Sequence, residues 1–154
     1  MMLSQFLDFE AIRIDLAVNN KRRLINHLAQ VAGTRLSLDP ARIADSILER
    51  ERLGSTGFGG GVAIPHGKMA GLDRVYALVA RLSTAIDYKA IDGGKVDLVF
   101  LLLSPPDAGA EHLKALAAVS RLVRHAATVE KLRGARSRDA LAAVVLGADE
   151  RDAA

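Results

Sequence analysis

Cysteine is absent from the 154 residues, which excludes disulfides, thiolate catalysis and cysteine-based zinc sites. Aromatic residues make up only 4% and no long Lys/Arg run occurs, so base-stacking platforms for nucleic acid are not expected. The net charge of +3, from 21 basic and 18 acidic residues, is too mild to argue for a polyanionic partner. Basic residues thicken late, at Lys131, Arg133, Arg136 and Arg138, and a solvated helical face accounts for them. No apolar stretch reaches the roughly 18 residues that span a bilayer, so membrane insertion is not expected either. The start, "MMLSQFLDFEAIRIDLAVNNK", has acidic residues early and no unbroken apolar core, so it does not read as a signal peptide and the expected location is cytoplasmic.

What is present is ordinary for a folded chain: 50% hydrophobic and 25% charged residues, enough for one domain over 1–154 with a real core. No linker, repeat or low-complexity block divides it, and the tail "GADERDAA" is expected to fray from about residue 147. "NKRRLINHLAQVAG" puts Leu24, Ile25, Leu28, Val31 and Ala32 on one helical face, with Gly33 as the expected stop. "LDPARIADSILERERLG" predicts a second helix, capped by Asp39, opened by Pro40, buried along Ile43, Ala44, Ile47 and Leu48, and closed by Gly54. "GVAIP" reads as a strand broken by Pro65. "RVYALVARLS" and "VDLVFLLLS" read as strands covered on both faces, the second ended by Pro105 and Pro106. Three helical stretches follow: Ala110 to His125, with Leu113, Leu116, Ala117, Ser120 and Val123 at helical spacing, then Thr128 to Leu132, then Ser137 to Leu146. Helices at both ends around central strands predict an α/β layered domain.

The densest local signal is "GSTGFGGGVAIPHGK", Gly54 to Lys68, with six glycines and a single histidine, His66. Pro65 restricts Ile64 to extended backbone, and Gly67 removes bulk on the other side of the imidazole. Gly57, Gly59, Gly60 and Gly61 are candidates to turn backbone N–H groups toward an anion, with Ser55 and Thr56 as hydroxyl donors and Lys68 as a charge. Imidazole is a competent nucleophile near neutral pH, and a phosphoryl group on it calls for N–H, hydroxyl and guanidinium donors nearby. From the residues alone three readings stay open: a structural turn, an anion or phosphoryl site, and a metal site. Metal is disfavoured because no carboxylate or second histidine stands at ligand spacing, and no metal or cofactor is expected. The nucleotide phosphate loop G-x-x-x-x-G-K-[ST] is excluded, since Gly67-Lys68 is followed by Met69.

Three other histidines occur. His27 and His125 sit in helical stretches among charged neighbours and read as surface positions. His112 opens a helix after "SPPDAGAE". It is either a first-turn surface residue or a group that the strand end carries back toward His66, where open α/β sheets place sites.

The stretch "GSTGFGGGVAIPHGK", together with "ILERERLGSTG" and "VDLVFLLLSPPDAGAEHLKALAAVSRLVR", resembles the enzyme IIA component of the bacterial phosphoenolpyruvate-dependent phosphotransferase system. The class is the mannitol/fructose and nitrogen-related one, the nitrogen-related branch is the better match, and the likeness runs from about Leu3 to Leu146. The resemblance implies a mixed β-sheet flanked by helices on both sides. It implies that His66 takes a phosphoryl group, usually on Nε2, from a histidine phosphocarrier protein of the HPr or NPr kind. His112 would orient and stabilise the group, Arg50 would stabilise its charge, and Ser55 and Thr56 would support its binding. For the nitrogen-related branch it implies regulation of targets such as sensor kinases or potassium transporters according to phosphorylation state. The alternative is a sugar-specific IIA that passes the group to a separate IIB protein, and a catalytically silent binding module is a third. The docking face around the site is expected to be apolar, with Phe58, Val62 and Ile64 as candidates, core burial being the expected fate of Ile64.

Overall fold

In chain order the computed structural model, which describes residues 1–153, runs β1 (Arg13–Leu16), α1 (Lys21–Leu36), α2 (Pro40–Arg52), β2 (Gly57–Gly59), β3 (Val62–Ala63), β4 (His66–Lys68), β5 (Tyr76–Ile86), β6 (Val96–Ser104), α3 (Gly109–Arg124), α4 (Ala126–Gly134) and α5 (Arg138–Ala153). Short 3-10 turns at Leu3–Gln5 and Phe9–Ala11 precede β1. The six strands form one mixed sheet in the order β1-β5-β6-β3-β2, with β4 also paired to β6. β5 and β6 run antiparallel, whereas β1 lies parallel to β5, and β3 and β4 lie parallel to β6.

β6 is apolar almost throughout because helices cover both its faces. Alternate residues go to opposite sides. Val99, Leu101 and Leu103 pack with Leu24, Ile25 and Leu28 of α1 and Ile43 and Ile47 of α2. Leu98, Phe100 and Leu102 pack with Val119 and Leu122 of α3, Leu132 of α4 and Leu141 and Val145 of α5. Side chains of this size contribute on the order of 1.5–3 kcal/mol each when fully buried. The central β5–β6 pair is therefore the most strongly anchored part of the sheet, and the C-terminal end of β6 is a firm base for a site.

Several expectations hold. Asp39 caps α2, its carboxylate accepting from the Ala41 N–H at 3.0 Å, with Pro40 in the first turn and Arg50 and Arg52 in the last. The β6 boundaries match the apolar run, and Pro105 follows it directly.

Others are corrected. α1 does not stop at Gly33 but continues to Leu36, and the left-handed Ser37 (φ 56°) ends it. Gly33 is buried mid-helix because the chain folds back on it: a Cβ there would lie 2.8 Å from the Leu38 carbonyl oxygen and from Pro40 Cγ. In α3 the buried line is Ala115, Ala118, Val119, Leu122 and Val123, whereas Leu113 is 67% exposed and Ala117 faces solvent. α5 does not end before Gly147. It runs to Ala153, because Ala148 is still buried and the Asp149 carboxylate accepts the Ser4 N–H at 2.7 Å. β1 was not foreseen, since three half-buried residues and the exposed Asp15 on the sheet edge carry little pattern.

Candidate functional site

β3 and β4 follow the same edge of β6 and are separated at Ile64-Pro65, where proline has no N–H to give the ladder. The Pro65 carbonyl still accepts the Leu102 N–H at 3.0 Å, and His66 stands beside Leu102. Gly67 faces α2: a Cβ there would come within 2.6 Å of Ser46 Oγ and 3.3 Å of Ile47 Cδ1. Gly67 therefore lets β4 pack against α2, and does not open the imidazole to a ligand as expected. Strand alternation turns His66 the other way, toward the start of α3.

There the two histidines meet. His112 lies in the first turn of α3, just beyond the β6 end, and its ring centroid is 5.4 Å from that of His66, with the planes tilted by 54°. The reading of His112 as an isolated surface residue is thereby set aside. His66 Nδ1 is 2.8 Å from the Ile64 carbonyl oxygen. A carbonyl oxygen only accepts, so Nδ1 carries the proton, and the neutral ring has its lone pair on Nε2. His112 Nδ1 is 2.6 Å from the hydroxyl of Ser104, the buried last residue of β6. His27 and His125 are exposed, as expected.

Arg50 ends α2 and donates from Nη1 to the Gly54 carbonyl at 2.9 Å, holding the start of the loop before β2. Its neighbour Glu51 has a side chain only 5% exposed. The Glu51 carboxylate accepts from Lys21 Nζ at 2.7 Å, from Tyr88 OH at 3.0 Å, from the Thr56 N–H at 3.2 Å and from the Thr56 hydroxyl. Thr56 was expected to offer its hydroxyl to an anion; the hydroxyl is instead directed at Glu51 and Tyr88. The Ser55 hydroxyl accepts the Gly57 N–H at 3.1 Å and shapes the same loop. The Thr56 carbonyl in turn accepts the Ile64 N–H, so a chain of contacts runs from Lys21 and Glu51 through Thr56 and Ile64 to the His66 ring.

The electrostatics favour the neutral form of both imidazoles. Burial lowers the His66 pKa below the ordinary imidazole value and the Arg50 charge adds to this, while the bond to Ile64 and the Glu51 charge oppose it. Burial also lowers His112, helped by His66 and Lys68. Burial would raise Glu51, but Lys21 and Thr56 outweigh it and hold the carboxyl below the usual glutamate range. The charges of Arg50 and Lys68 thus bear on His66 and His112, with Glu51 opposing at His66.

The glycines contribute differently from what was expected. Gly57, Gly59, Gly60 and Gly61 do not wall the histidine; they build the β2–β3 hairpin and its turn. The Gly60 N–H binds the Asp92 carboxylate at 3.2 Å, and the Gly60 carbonyl accepts from Arg133 at 2.6 Å. Val62 pairs with Leu98 and His66 with Leu102, so the turn lies four strand residues from His66, about 13 Å along β6. Of the apolar candidates for a docking face, Phe58 is exposed, whereas Val62 and Ile64 are buried under α3 to α5. Among the described residues no group of three or more His, Asp or Glu side chains is arranged to hold a metal ion. Nor is any helix among them long and apolar enough to cross a membrane.

Sequence reading missed Glu51, Tyr88 and Ser104. Glu51 is hidden in the charge alternation of "LERERLG", and Ser104 looks like the end of an apolar strand. Only the fold shows that each faces the histidine pair or the loop behind it.

A mixed sheet thus carries a histidine pair at the C-terminal end of its central strand. The chain belongs to the family described as "Phosphoenolpyruvate-dependent sugar phosphotransferase system, EIIA 2", whose model matches residues 5–147. It is thus a component of the phosphotransferase system. It is 43% identical over 145 residues, 94% of this chain and 95% of the relative, to a nitrogen regulatory protein of Bradyrhizobium diazoefficiens. A fructose-specific EIIA component of Haloferax volcanii is 34% identical over 148 residues, 93% of this chain and 96% of that one. The crystal structure of nitrogen regulatory protein IIA-Ntr from Neisseria meningitidis superposes with a TM-score of 0.87 at 32% identity, covering 93% of this chain and 98% of that chain.

Proposed function

We propose that this chain is a regulatory phosphoryl carrier that accepts the group on His66 Nε2 from a histidine phosphocarrier protein of the HPr or NPr kind. In that step the Nε2 lone pair attacks phosphorus. The P–N bond to the donor's histidine breaks, and its electron pair returns to the donor's ring nitrogen. One observation carries the reading: the Ile64 carbonyl fixes the His66 proton on Nδ1 and so leaves Nε2 nucleophilic. His112 and Arg50 stabilise the bound group, and Ser55 and Thr56 hold the loop behind it. Phosphoryl transfer asks mainly for positioning and charge stabilisation.

Exposed apolar residues near the site support a protein donor: Leu53, 83% exposed, follows the last turn of α2, and Leu113 directly follows His112. The likeness to nitrogen regulatory proteins favours regulation of partners, such as sensor kinases or potassium transporters, over sugar uptake. A phosphoryl group adds one to two negative charges, enough to remodel a docking surface. The fructose-specific relative supports the second reading, transfer onward to a separate IIB protein. The test is labelling with phosphoenolpyruvate, enzyme I and the phosphocarrier. The expected product is an acid-labile, base-stable phosphate that is absent in His66→Ala. Full labelling of that variant would overturn the assignment.

A further inference from the structure

We infer that Ser104 is a positioning residue that fixes the tautomer of His112, setting the proton on Nε2 so that this ring donates a hydrogen bond toward a phosphoryl group on His66. The inference rests on the reading of His66 as the phosphoryl-bearing residue.

Ser104 is 0% exposed. Its backbone is committed to the sheet, paired with Lys68, and its carbonyl accepts the Met69 N–H at 2.8 Å. Among the described residues the hydroxyl has one hydrogen-bond partner, His112 Nδ1 at 2.6 Å. A buried O–H left without an acceptor costs about 1–3 kcal/mol. If His112 Nδ1 carried the proton and donated to Ser104, the serine O–H would have no acceptor. If Ser104 donates instead, its O–H and His112 Nδ1 are both satisfied, and the His112 proton moves to Nε2.

The consequence is a division of labour between the two rings. The Ile64 carbonyl holds the proton of His66 on Nδ1 and frees Nε2 as a lone pair. The Ser104 hydroxyl does the opposite to His112, occupying Nδ1 and leaving Nε2–H as a donor. A lone pair on His112 Nε2 would repel a phosphoryl oxygen; an N–H there would bind it without needing a cationic ring. The first turn of α3 adds to this, since the positive end of a helix disfavours imidazolium at His112. The backbone of β6 runs directly into the buried serine, so the His112 ring is anchored to a strand buried on both faces.

Two-bond 15N–1H correlation spectra of the unphosphorylated chain report the tautomers directly and need no phosphoryl donor. The expected result is His66 with its proton on Nδ1 and His112 with its proton on Nε2. In Ser104→Ala the His112 pattern should average between tautomers, and the phosphohistidine should hydrolyse about tenfold faster, the weight of one hydrogen bond to a charged group. Ser104→Thr keeps a hydroxyl and should restore both readouts. A wild-type spectrum with the His112 proton on Nδ1 overturns the inference whatever the variants do. So does a folded Ser104→Ala protein with unchanged His112 signals and unchanged phosphohistidine lifetime. Failure of the chain to take up phosphate would instead count against the carrier reading, while the tautomer spectra would still test the Ser104 contact.

Discussion

Replacing Glu51 with alanine should destabilise the protein and slow His66 as a phosphoryl acceptor. The substitution removes one carboxylate that accepts from Lys21, Tyr88 and both the N–H and hydroxyl of Thr56. Removing one partner of a buried ion pair costs about 3–5 kcal/mol, because the other charge is left uncompensated. Lys21 is 20% exposed and its Nζ sits 4.4 Å from the Tyr88 ring centroid, so it keeps some water and a cation–π contact. The low end of the range applies, about 3 kcal/mol. For a chain of this length that is a fall in Tm of about 6–12 °C. Tyr88→Phe leaves the pair with Lys21 intact and should cost only about 1 kcal/mol. Urea unfolding of the two variants makes the comparison. The Glu51 contribution should also depend on pH: its native pKa is lowered, so the stabilisation is present above the ordinary value of about 4.3 and is lost as pH falls below it. A Glu51→Ala cost no larger than that of Tyr88→Phe would refute the idea that this carboxylate organises the loop.

Three further outcomes are expected. The native pKa values of His66 and His112 are lowered, so the unfolded chain binds those protons first; stability is full above about pH 6.5 and falls below it, and a His66→Gln/His112→Gln variant should flatten the profile there. Urea midpoints from pH 8 to 5 check this, and a stability that rises as pH falls through that window would contradict it. Gly67→Ala should cost about 1–3 kcal/mol by forcing β4 off α2, because backbone of Ser46 as well as its hydroxyl blocks the added methyl; an unchanged urea midpoint would mean the strand has room to shift. Gly61→Ala places a side chain at φ +83° and against Arg133 Nη2 and should lose about 1–2 kcal/mol or more, yet leave phosphoacceptance unchanged, since the turn lies far along β6 from His66. Lost labelling in a folded Gly61→Ala protein would return the glycines to the site.

The histidine pair was only half legible in the sequence. His66 stood out because proline and glycine flank it, but the reason for Gly67 was misread: the glycine serves the contact with α2. From the residues alone His112 stayed open between a surface position and a partner of His66; the resemblance favoured the partner, and β6 and α3 bring the two rings together. The β6 strand was legible because a run buried on both faces needs apolar residues at every position. α2 was legible because capping chemistry is local, with Asp39 and Pro40 adjacent in the chain. The ends of α1 and α5 were not, because a glycine inside a helix is tolerated when packing demands a close approach or when flanking residues stay buried, as at Gly33 and Gly147. The outward turn of Leu113 shows the same limit: helical spacing gives a stripe, and the tertiary contacts decide which stripe is buried.

The most direct measurement is 15N–31P correlation on the chain after transfer from the phosphocarrier. The expected spectrum couples phosphorus to His66 Nε2, with the Nδ1 proton retained toward Ile64. Phosphorus on His66 Nδ1, on His112, or on no histidine at all would contradict the assignment of His66 Nε2 as the nucleophile.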